Sequence, residues 1–376
     1  MRDLSRYHNP ARFAETAQRH RRAISWEQQG RIPLGIHVVN PEYLQGMTYS
    51  DWLKPEVYCE LQTNHLADTL EVGSDLAPVV GFNHLGEAPL TTLFGAEQFT
   101  PEKVSGTSNP WDIGPSPLPI FDSIDEVQDL ASPSLDGGLM PDLERMARYY
   151  REHLPEWVAL VGPMPTGPFS AASALRGFDF LYDLLDRPEL CLRLLLICAE
   201  TIVRLEQRFR AVVGTDPGVC FTNFAVLGAG LRLGEDSICS VSADMIRTIC
   251  TPVYQRVNEL FGGSGHVHFC TLPHSRLEHI YPALASMPDV AVVSSQFGFE
   301  YYANHLEELR GKLAVESFYG DAYGYVRGTH GSFGAWAREF VSRFKNESGL
   351  VLYLQVHTVD EGNRVWDDWE QAHALS

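Results

Sequence analysis

Eight short apolar stretches recur along this chain, separated for the most part by segments with the spacing of an amphipathic helix. The apolar stretches span residues 32–39, 76–82, 157–162, 219–224, 265–270, 289–294, 312–316 and 350–357. Helical spacing occurs at 10–29, 55–72, 140–152, 172–184, 187–213, 242–261, 275–286, 301–309, 332–346 and 362–374. Short apolar runs are typical of buried strands, and strands that alternate with helices pair in parallel. Eight such units predict an α/β protein, built as a single (β/α)8 TIM barrel over residues 1–376.

One segment interrupts this alternation. Residues 87–135 are rich in Pro, Gly, Ser and Thr and show little periodicity. Long irregular segments in compact domains commonly serve a function, often as a wall over a binding site. We therefore predict that 87–135 is a long insertion in the N-terminal third that covers the barrel mouth. Because this composition provides little core, we expect the segment to be more mobile without ligand.

Composition and charge narrow the function classes. The 376 residues carry a formal net charge of −19, which argues against binding to nucleic acid or to an anionic membrane surface. No stretch approaches the ~18 apolar residues of a membrane span, and the charged N-terminus has no apolar run of signal-peptide length. The seven cysteines are scattered, without Cys-x-x-Cys spacing. We expect a cytoplasmic protein with reduced thiols that acts on a small-molecule substrate.

Chemically distinctive side chains follow the apolar runs, at the C-terminal strand ends where TIM barrels hold their active sites. They are His37, Asn40, Asn83, His84, Met164, Asn223, His268, Cys270, Gln296, Glu316, Tyr319, Asp321 and His357. Most of these side chains also fit a structural role, such as lining a wall of the site or holding a loop in place. Asp321, for instance, lies in a turn-like segment, where Asp commonly caps backbone N–H groups.

His268 and Cys270 form an H-x-C pair within the stretch 265–270. Residues two apart on a strand face the same side, so the imidazole and the thiol share one face. Such a pair can hold a soft divalent metal, zinc most readily. In a closed barrel the eighth strand lies across the lumen from the fifth, which brings His357 close enough to be a third ligand. The same stretch also fits a core strand with a hydrogen-bonded histidine and an inert cysteine, and His266 is expected deeper in the lumen as a packed residue.

From residue 156 onward the chain carries a series of short motifs in a fixed order. They are GPFS at 167–170, AASALRG at 171–177, DRPE at 186–189, SADMIRTICTP at 242–252 and GTHGSFGAWAREFV from Gly328. Their order and spacing resemble those of the uroporphyrinogen decarboxylase superfamily. That superfamily includes porphyrinogen decarboxylases and zinc-dependent methyltransferases that use methylcobalamin and a thiol. The resemblance implies a (β/α)8 barrel and an enzyme.

Two departures decide between the branches of that superfamily. The decarboxylases carry P-x-W-x-M-R-Q-A-G-R near the N-terminus, with arginines that grip substrate carboxylates, whereas this chain reads RIPLGIH at 31–37. The methyltransferase branch carries H-x-C on the fifth strand and a Cys near the eighth. His268 and Cys270 match the first of these, and His357 stands in place of the final Cys. The resemblance therefore implies a zinc-dependent methyltransferase rather than a true uroporphyrinogen decarboxylase.

The resemblance implies a zinc bound by His268, Cys270 and His357 that lowers the pKa of a bound thiol. The thiolate would take a methyl group from a corrinoid such as methylcobalamin, with a corrinoid protein as partner. The residues assigned to catalysis are Asn223, Gln296, Tyr319 and Asp321, and those assigned to substrate binding are His37, Asn83, His84 and Met164. One alternative is a decarboxylase or lyase that acts without metal on a small carboxylate or tetrapyrrole-like substrate. Another is a non-catalytic subunit whose acidic surface docks a corrinoid protein or partner enzyme.

Overall fold

The computed structural model of this chain describes residues 2–27, 30–82, 85–99, 116–162, 166–214, 220–221, 226–227, 230–270, 277–296, 298–319, 326 and 328–375. The helices in this part of the chain are α1 (Pro10–Ile24), α2 (Tyr49–Trp52), α3 (Pro55–Val72), α4 (Ala88–Thr91), α5 (Met140–His153), α6 (Pro168–Arg176), α7 (Phe180–Asp186), α8 (Pro188–Val213), α9 (Ala243–Met245), α10 (Thr251–Phe261), α11 (Ile280–Ala285), α12 (Gly298–Leu309), α13 (Phe333–Phe344) and α14 (Val359–Leu375). The strands are β1 (Leu34–Val38), β2 (Val79–Gly81), β3 (Gln98–Phe99), β4 (Ser116–Pro117), β5 (Ala159–Val161), β6 (Cys220–Phe221), β7 (Val226–Leu227), β8 (Arg232–Gly234), β9 (Gly265–Phe269), β10 (Val290–Gln296), β11 (Ala314–Tyr319) and β12 (Leu350–Val356). Short 3-10 helices cover Ser5–Tyr7, Pro41–Leu44, Thr92–Phe94, Ile124–Asp129 and Asp236–Ser240, and a π-helical segment, Ile246–Cys250, joins α9 to α10.

Within the described residues, six strands form one parallel sheet in the order β1-β12-β11-β10-β9-β8. β2 pairs in parallel with β5, and a parallel bridge between Thr166 and Gly234 links the chain after β5 to β8. From β9 to β12, consecutive strands are neighbours with helices between them, which is the arrangement that the alternation predicts. The α/β class is therefore confirmed. Closure into a single eight-stranded barrel stays a prediction.

Side chains, rather than a neighbouring strand, satisfy one edge of β1. Three of its backbone N–H groups donate to oxygens of α3 and of the turn that follows it. The pairs are Leu34 with Asp75 Oδ2 at 3.2 Å, Ile36 with Ser74 Oγ at 3.0 Å and Val38 with Thr69 Oγ1 at 3.0 Å. In the described part of the chain no ladder joins β1 to β2. These side chains thus cap an edge that would otherwise present unpaired N–H groups.

The stretch 219–224 forms a strand at its described residues, but that strand does not join the parallel sheet as the alternation predicts. Its described residues, Cys220–Phe221, pair antiparallel with Val226–Leu227. The parallel neighbour of β9 is instead β8, where Arg232 pairs with His266 and Gly234 with His268. A three-residue strand that contains a glycine has no apolar run, so the pattern of hydrophobic residues does not reveal it.

The long helix α8 contributes to both large apolar clusters of the protein. Leu194 and Ile202 pack in the cluster around the six-stranded sheet. Leu205 and Phe209, nearer the C-terminal end of α8, pack in a second cluster with α3, α5 and the β2–β5 pair. The helix is therefore shared between the two cores. Neither α8 nor any other described helix has the length and apolar character needed to cross a membrane.

The described parts of segment 87–135 pack against α6. β3 pairs antiparallel with β4, and the N–H groups of Ile120 and Phe121 donate to the Leu175 carbonyl at 2.8 and 3.2 Å. Residues 100–115 lie outside the described residues. That this segment covers the barrel mouth, and loosens without ligand, stays a prediction.

A buried histidine beside β1 makes the stability depend on pH. His65 on α3 is only 5% exposed, and its Nε2 lies 3.3 Å from the Asn40 carbonyl oxygen. Burial lowers the pKa of His65 to about 4. Unfolded His65 titrates near 6.5, so between these values the unfolded chain binds a proton that the native protein does not. Its contribution to stability is therefore present above pH 6.5 and is lost as the pH falls towards 4.

We expect acidification from pH 7 to 4 to cost roughly 3 kcal/mol through this histidine alone. The variant His65→Gln should show a shallower fall in the free energy of unfolding over that range, as measured by urea titration at several pH values. His8→Gln, at an exposed histidine, is the control and should follow the wild type. Parallel pH profiles for His65→Gln and the wild type would contradict this assignment.

Candidate metal centre

The register of the parallel sheet gathers polar side chains on one face. His268 on β9 is level with Gly234 on β8 and Ser294 on β10, and Ser294 is in turn level with Glu316 on β11. Partners that are level in a parallel ladder point to the same side of the sheet. A band of polar groups therefore runs across the sheet towards the C-terminal ends of its strands.

Three possible metal ligands converge at the C-terminal end of β9. The ligand atoms of Asp236, His268 and Cys270 all lie within 4.8 Å of one another. Cys270 Sγ is 3.5 Å from His268 Nε2. Asp236 and Cys270 are exposed and His268 is half-buried, so the cluster can be reached from solvent.

The pairing of β8 with β9 puts Asp236 into this cluster. β8 ends at Gly234, beside His268, and the chain turns directly into the 3-10 helix that begins at Asp236. The Glu235 N–H donates to the His268 carbonyl at 2.6 Å. The Cys270 N–H donates to Asp236 Oδ1 at 2.7 Å. Two backbone donors therefore hold the carboxylate and the H-x-C pair together.

Glu235 fixes this turn to the beginning of α6. Its side chain is fully buried and accepts three hydrogen bonds. The donors are the Phe169 N–H at 3.1 Å, the Ser170 N–H at 2.8 Å and the Tyr254 hydroxyl at 3.2 Å. A Cβ atom on Gly167 would lie 2.1 Å from Glu235 Cδ, so this approach requires glycine there. Burial raises the pKa of Glu235 to about 7, while the three donors act in the opposite direction.

The electrostatics of the cluster favour neutral side chains before a cation binds. Burial and the positive charge of Arg232 hold the pKa of His268 well below its ordinary value. Although Cys270 is an exposed residue, desolvation by the surrounding protein and then the Asp236 carboxylate raise the pKa of its thiol to about 12. A bound divalent cation reverses this preference, because it deprotonates a coordinating thiol outright.

The cluster fits a zinc ion by donor type, and its sulfur–nitrogen pair also fits by spacing. Bonds of 2.0–2.3 Å in a tetrahedral site place neighbouring ligand atoms roughly 3.3–3.8 Å apart, and the sulfur–nitrogen distance here is 3.5 Å. His268 Nδ1 lies 3.1 Å from Ser294 Oγ, which directs Nε2 towards the cluster. Metal-binding histidines usually have such a partner on the second nitrogen. Three protein ligands leave one coordination position for a substrate or water.

His266 lies deeper than the cluster, as the sequence predicts. It is 2% exposed, and its Nε2 is 3.3 Å from Glu316 Oε2 on β11. Arg232, 3% exposed, is level with His266 on the neighbouring strand. Arg232, Glu316 and His266 all act on the pKa of His268, so these buried groups adjoin the candidate metal centre.

The other predicted metal ligand, His357, is not a member of the cluster. It follows β12, and its Nδ1 lies 3.3 Å from the Val39 carbonyl oxygen beyond β1. β12 and β9 are separated by β11 and β10 within the same sheet. Because all four strands are parallel, His268 and His357 still lie at the same edge of the sheet, as expected.

The remaining predicted site residues are only partly described. Gln296 is the half-buried last residue of β10. His37 lies on β1, level with Gln355, and its ring centroid is 6.3 Å from that of His65. Tyr319 ends β11, but its side chain is outside the described part of the structure. The predicted site residues that lie wholly outside the described residues are Asn83, His84, Met164, Asn223 and Asp321.

Asp236 was missed because it follows a strand that the hydrophobic pattern does not reveal. In the sequence it lies in GEDS at 234–237, where paired acidic residues suggest an exposed turn. The available signal was that GEDS precedes the strand at 265–270, at a place where one more strand of the alternating pattern could end. Without β8 that position could not be recognised as a strand end.

Comparison with known proteins agrees on the fold. No protein-family model matches this chain, and no curated protein matches it. Among solved structures, the chain is similar to a methyltransferase from Methanosarcina mazei, with 16% sequence identity and a TM-score of 0.67. The match covers 95% of this chain and 98% of the other. At this identity the likeness establishes a shared fold over nearly the whole length of both chains.

Proposed function

We propose that this chain is a zinc-dependent methyltransferase that moves a methyl group from a corrinoid donor to a zinc-activated thiol. The supporting observation is the convergence of Asp236, His268 and Cys270 at the C-terminal end of β9. We assign the metal to these three residues. His357, the third ligand expected from the sequence, is the rival to Asp236. The likeness in fold to a methyltransferase is consistent with this proposal.

The charges of the proposed ligands suit thiol activation. A bound zinc ion lowers the pKa of a coordinated thiol or water. The Asp236 carboxylate and the Cys270 thiolate together neutralise its two positive charges. A metal neutralised in this way withdraws less charge from a further thiolate than one held by two histidines and one cysteine. The substrate sulfur therefore stays nucleophilic.

The chain's own residues prepare the reacting groups. Ser294 orients the His268 ring, and the Cys270 N–H holds the Asp236 carboxylate. A bound corrinoid would supply the methyl group to the substrate thiolate and would keep the electron pair of the bond that breaks. We keep Asn223, Gln296, Tyr319 and Asp321 as residues that orient the reactants, and His37, Asn83, His84 and Met164 as substrate-binding residues. The proposal further includes one closed barrel over residues 1–376, segment 87–135 over its mouth, a corrinoid protein as partner and a cytoplasmic location.

A decarboxylase or lyase without metal is the second candidate. The buried Arg232, whose charge acts on His268, is the observation in its favour, because a guanidinium binds carboxylates well. In this alternative the Arg232 guanidinium would stabilise the charge that develops on a decarboxylated substrate.

Methyl transfer with and without zinc tests the proposal. The reduced full-length chain, first stripped of metal and then supplied with one equivalent of zinc, is mixed with methylcobalamin and 2-mercaptoethanol. We expect demethylation of the corrinoid, followed by its absorbance, to be on the order of 100-fold faster with zinc than without it. The Cys270→Ser variant supplied with zinc is the control and should behave like the metal-free chain. Equal rates with and without zinc would contradict the proposal.

A further inference from the structure

A cavity of about 300 Å³ lies between α6 and the 3-10 helix Asp236–Ser240. Ser170 and Ser173 of α6 form one wall, and Ser240 belongs to the opposite one. Glu87, immediately before α4, and the exposed Phe178 also line it. This volume is at the lower end of the range for small-molecule sites. The cavity borders the helix that carries Asp236, but it is separate from the cluster at His268 and Cys270.

The Glu87 carboxyl group has no protein partner in the described part of the chain. Its backbone carbonyl accepts from the N–H groups of Leu90 and Thr91, whereas its side chain makes no hydrogen bond or ion pair with any residue that the structure describes. A half-buried carboxyl group without a donor is costly, because it has lost water without gaining a replacement. Burial and then the charge of Asp236 raise the pKa of Glu87 to about 7. A donor bound in the cavity would remove this penalty.

The neighbouring serine hydroxyl groups carry no charge. Ser173 Oγ is buried and has no hydrogen-bond partner within the described residues. Ser170 Oγ accepts from the Ser237 N–H at 3.0 Å and also hydrogen-bonds the Glu235 carboxylate. Hydroxyl groups of this kind adapt to donors and acceptors alike, so the charge preference of the cavity depends on Glu87.

The charges around the cavity exclude anions. Among the described residues that line it, no lysine, arginine or histidine is present. The nearest acidic neighbour, Asp236, adds to the negative potential at Glu87. A carboxylate, phosphate or sulfonate would be repelled, whereas a cation that donates hydrogen bonds would be attracted. Pro119, Phe178 and Leu181 provide apolar surface for an alkyl group.

We infer that this cavity binds a small aliphatic amine in its ammonium form. The ammonium group would donate to Glu87, and the alkyl part would lie against Pro119, Phe178 and Leu181. This inference does not depend on the metal centre or on methyl transfer. It can therefore be tested on the metal-free protein.

Three probes of nearly equal size separate charge from shape. Propylammonium, propan-1-ol and propionate are titrated into the full-length protein, and binding is followed by ligand-observed NMR. We expect propylammonium to bind roughly tenfold more tightly than propan-1-ol, with propionate the weakest, because only the cation pairs with Glu87. Equal affinities for propylammonium and propan-1-ol, or no binding of propylammonium, would overturn the inference.

Variants place the bound amine in this cavity. Glu87→Gln should remove the preference for propylammonium over propan-1-ol, whereas Glu97→Gln, at a nearby exposed glutamate, should leave it unchanged. Ala174→Leu, at a residue that lines the cavity, should weaken binding of both probes by filling space. If Glu87→Gln does not fold, Glu87→Asp keeps the charge, shortens the side chain and should still weaken propylammonium. Binding to Glu87→Gln or to Glu87→Asp at wild-type strength would also overturn the inference.

Discussion

Cys270→Ser and Asp236→Asn are each expected to weaken zinc binding by at least on the order of 100-fold, since loss of an outer-shell partner alone costs 10–100-fold. Serine keeps the size of Cys270 but not the thiolate, and asparagine keeps the size of Asp236 but not its charge. After gentle purification, the wild type should hold about one zinc per chain, and each variant less than about 0.1. Metal content is measured by plasma emission. Melting temperatures should stay close to that of the wild type, because the apolar clusters do not depend on the metal.

His357→Ala is the decisive control for this assignment. His357 is not part of the cluster, and its Nδ1 lies within hydrogen-bonding distance of the Val39 carbonyl oxygen. We therefore expect this variant to retain its zinc, as should His266→Ala wherever it folds. Loss of zinc in His357→Ala but not in Asp236→Asn would replace Asp236 by His357 as the third ligand. A wild type that holds no zinc and takes up none when reduced would exclude the metal site.

Glu235→Ala is expected to lower the free energy of unfolding by about 3 kcal/mol. The substitution leaves three donors, two at the beginning of α6 and the Tyr254 hydroxyl, without their acceptor in a buried place. It also opens a cavity next to Gly167. Urea or thermal unfolding of the purified protein measures the effect. Glu235→Gln, which keeps one acceptor oxygen, should fall between the wild type and Glu235→Ala.

Glu189→Ala provides the matched comparison. Glu189 lies in the first turn of a helix, α8, so it too is an acidic residue at the beginning of a helix, but it is exposed. An exposed charge at a helix N-terminus contributes little to stability, because solvent screens it. Similar losses of stability for Glu189→Ala and Glu235→Ala would mean that burial of Glu235 does not matter for this turn.

The strands that carry long apolar runs were predictable from the sequence. β1, β9 and β12 lie within predicted stretches, β10 and β11 begin within predicted stretches and continue two and three residues beyond them, and all five pair in parallel. Their runs of aliphatic residues reflect burial on both faces, which is a property of the sequence itself. α3 begins and ends at the predicted residues, since Pro55 is suited to a first helical turn and Gly73 adopts a φ of +77° that ends the helix.

The candidate metal centre was predictable only in part. His268 and Cys270 are neighbours along one strand, so a period of two is enough to bring them together. Asp236 precedes His268 by 32 residues. It joins His268 and Cys270 only through the pairing of β8 with β9. The three residues of β8 have no apolar run, and side-chain contacts between strands depend on register, which hydrophobicity alone does not report. Because register was not visible, the sequence pointed to His357 as the third ligand, since its place at a strand end was visible.

The capped edge of β1 is a part of the sheet whose hydrogen bonds single substitutions can remove. Peptide groups supply the hydrogen bonds between paired strands, and no ordinary substitution except proline removes them. Along this edge the acceptors are instead the side chains of Thr69, Ser74 and Asp75. A single nucleotide change that turns one of these residues into an apolar one therefore unpairs a backbone N–H group of Leu34, Ile36 or Val38, all within three residues of His37. Along this edge, the hydrogen bonding of the strand depends on which side chains are present. It can therefore change between related chains while the rest of the sheet stays the same.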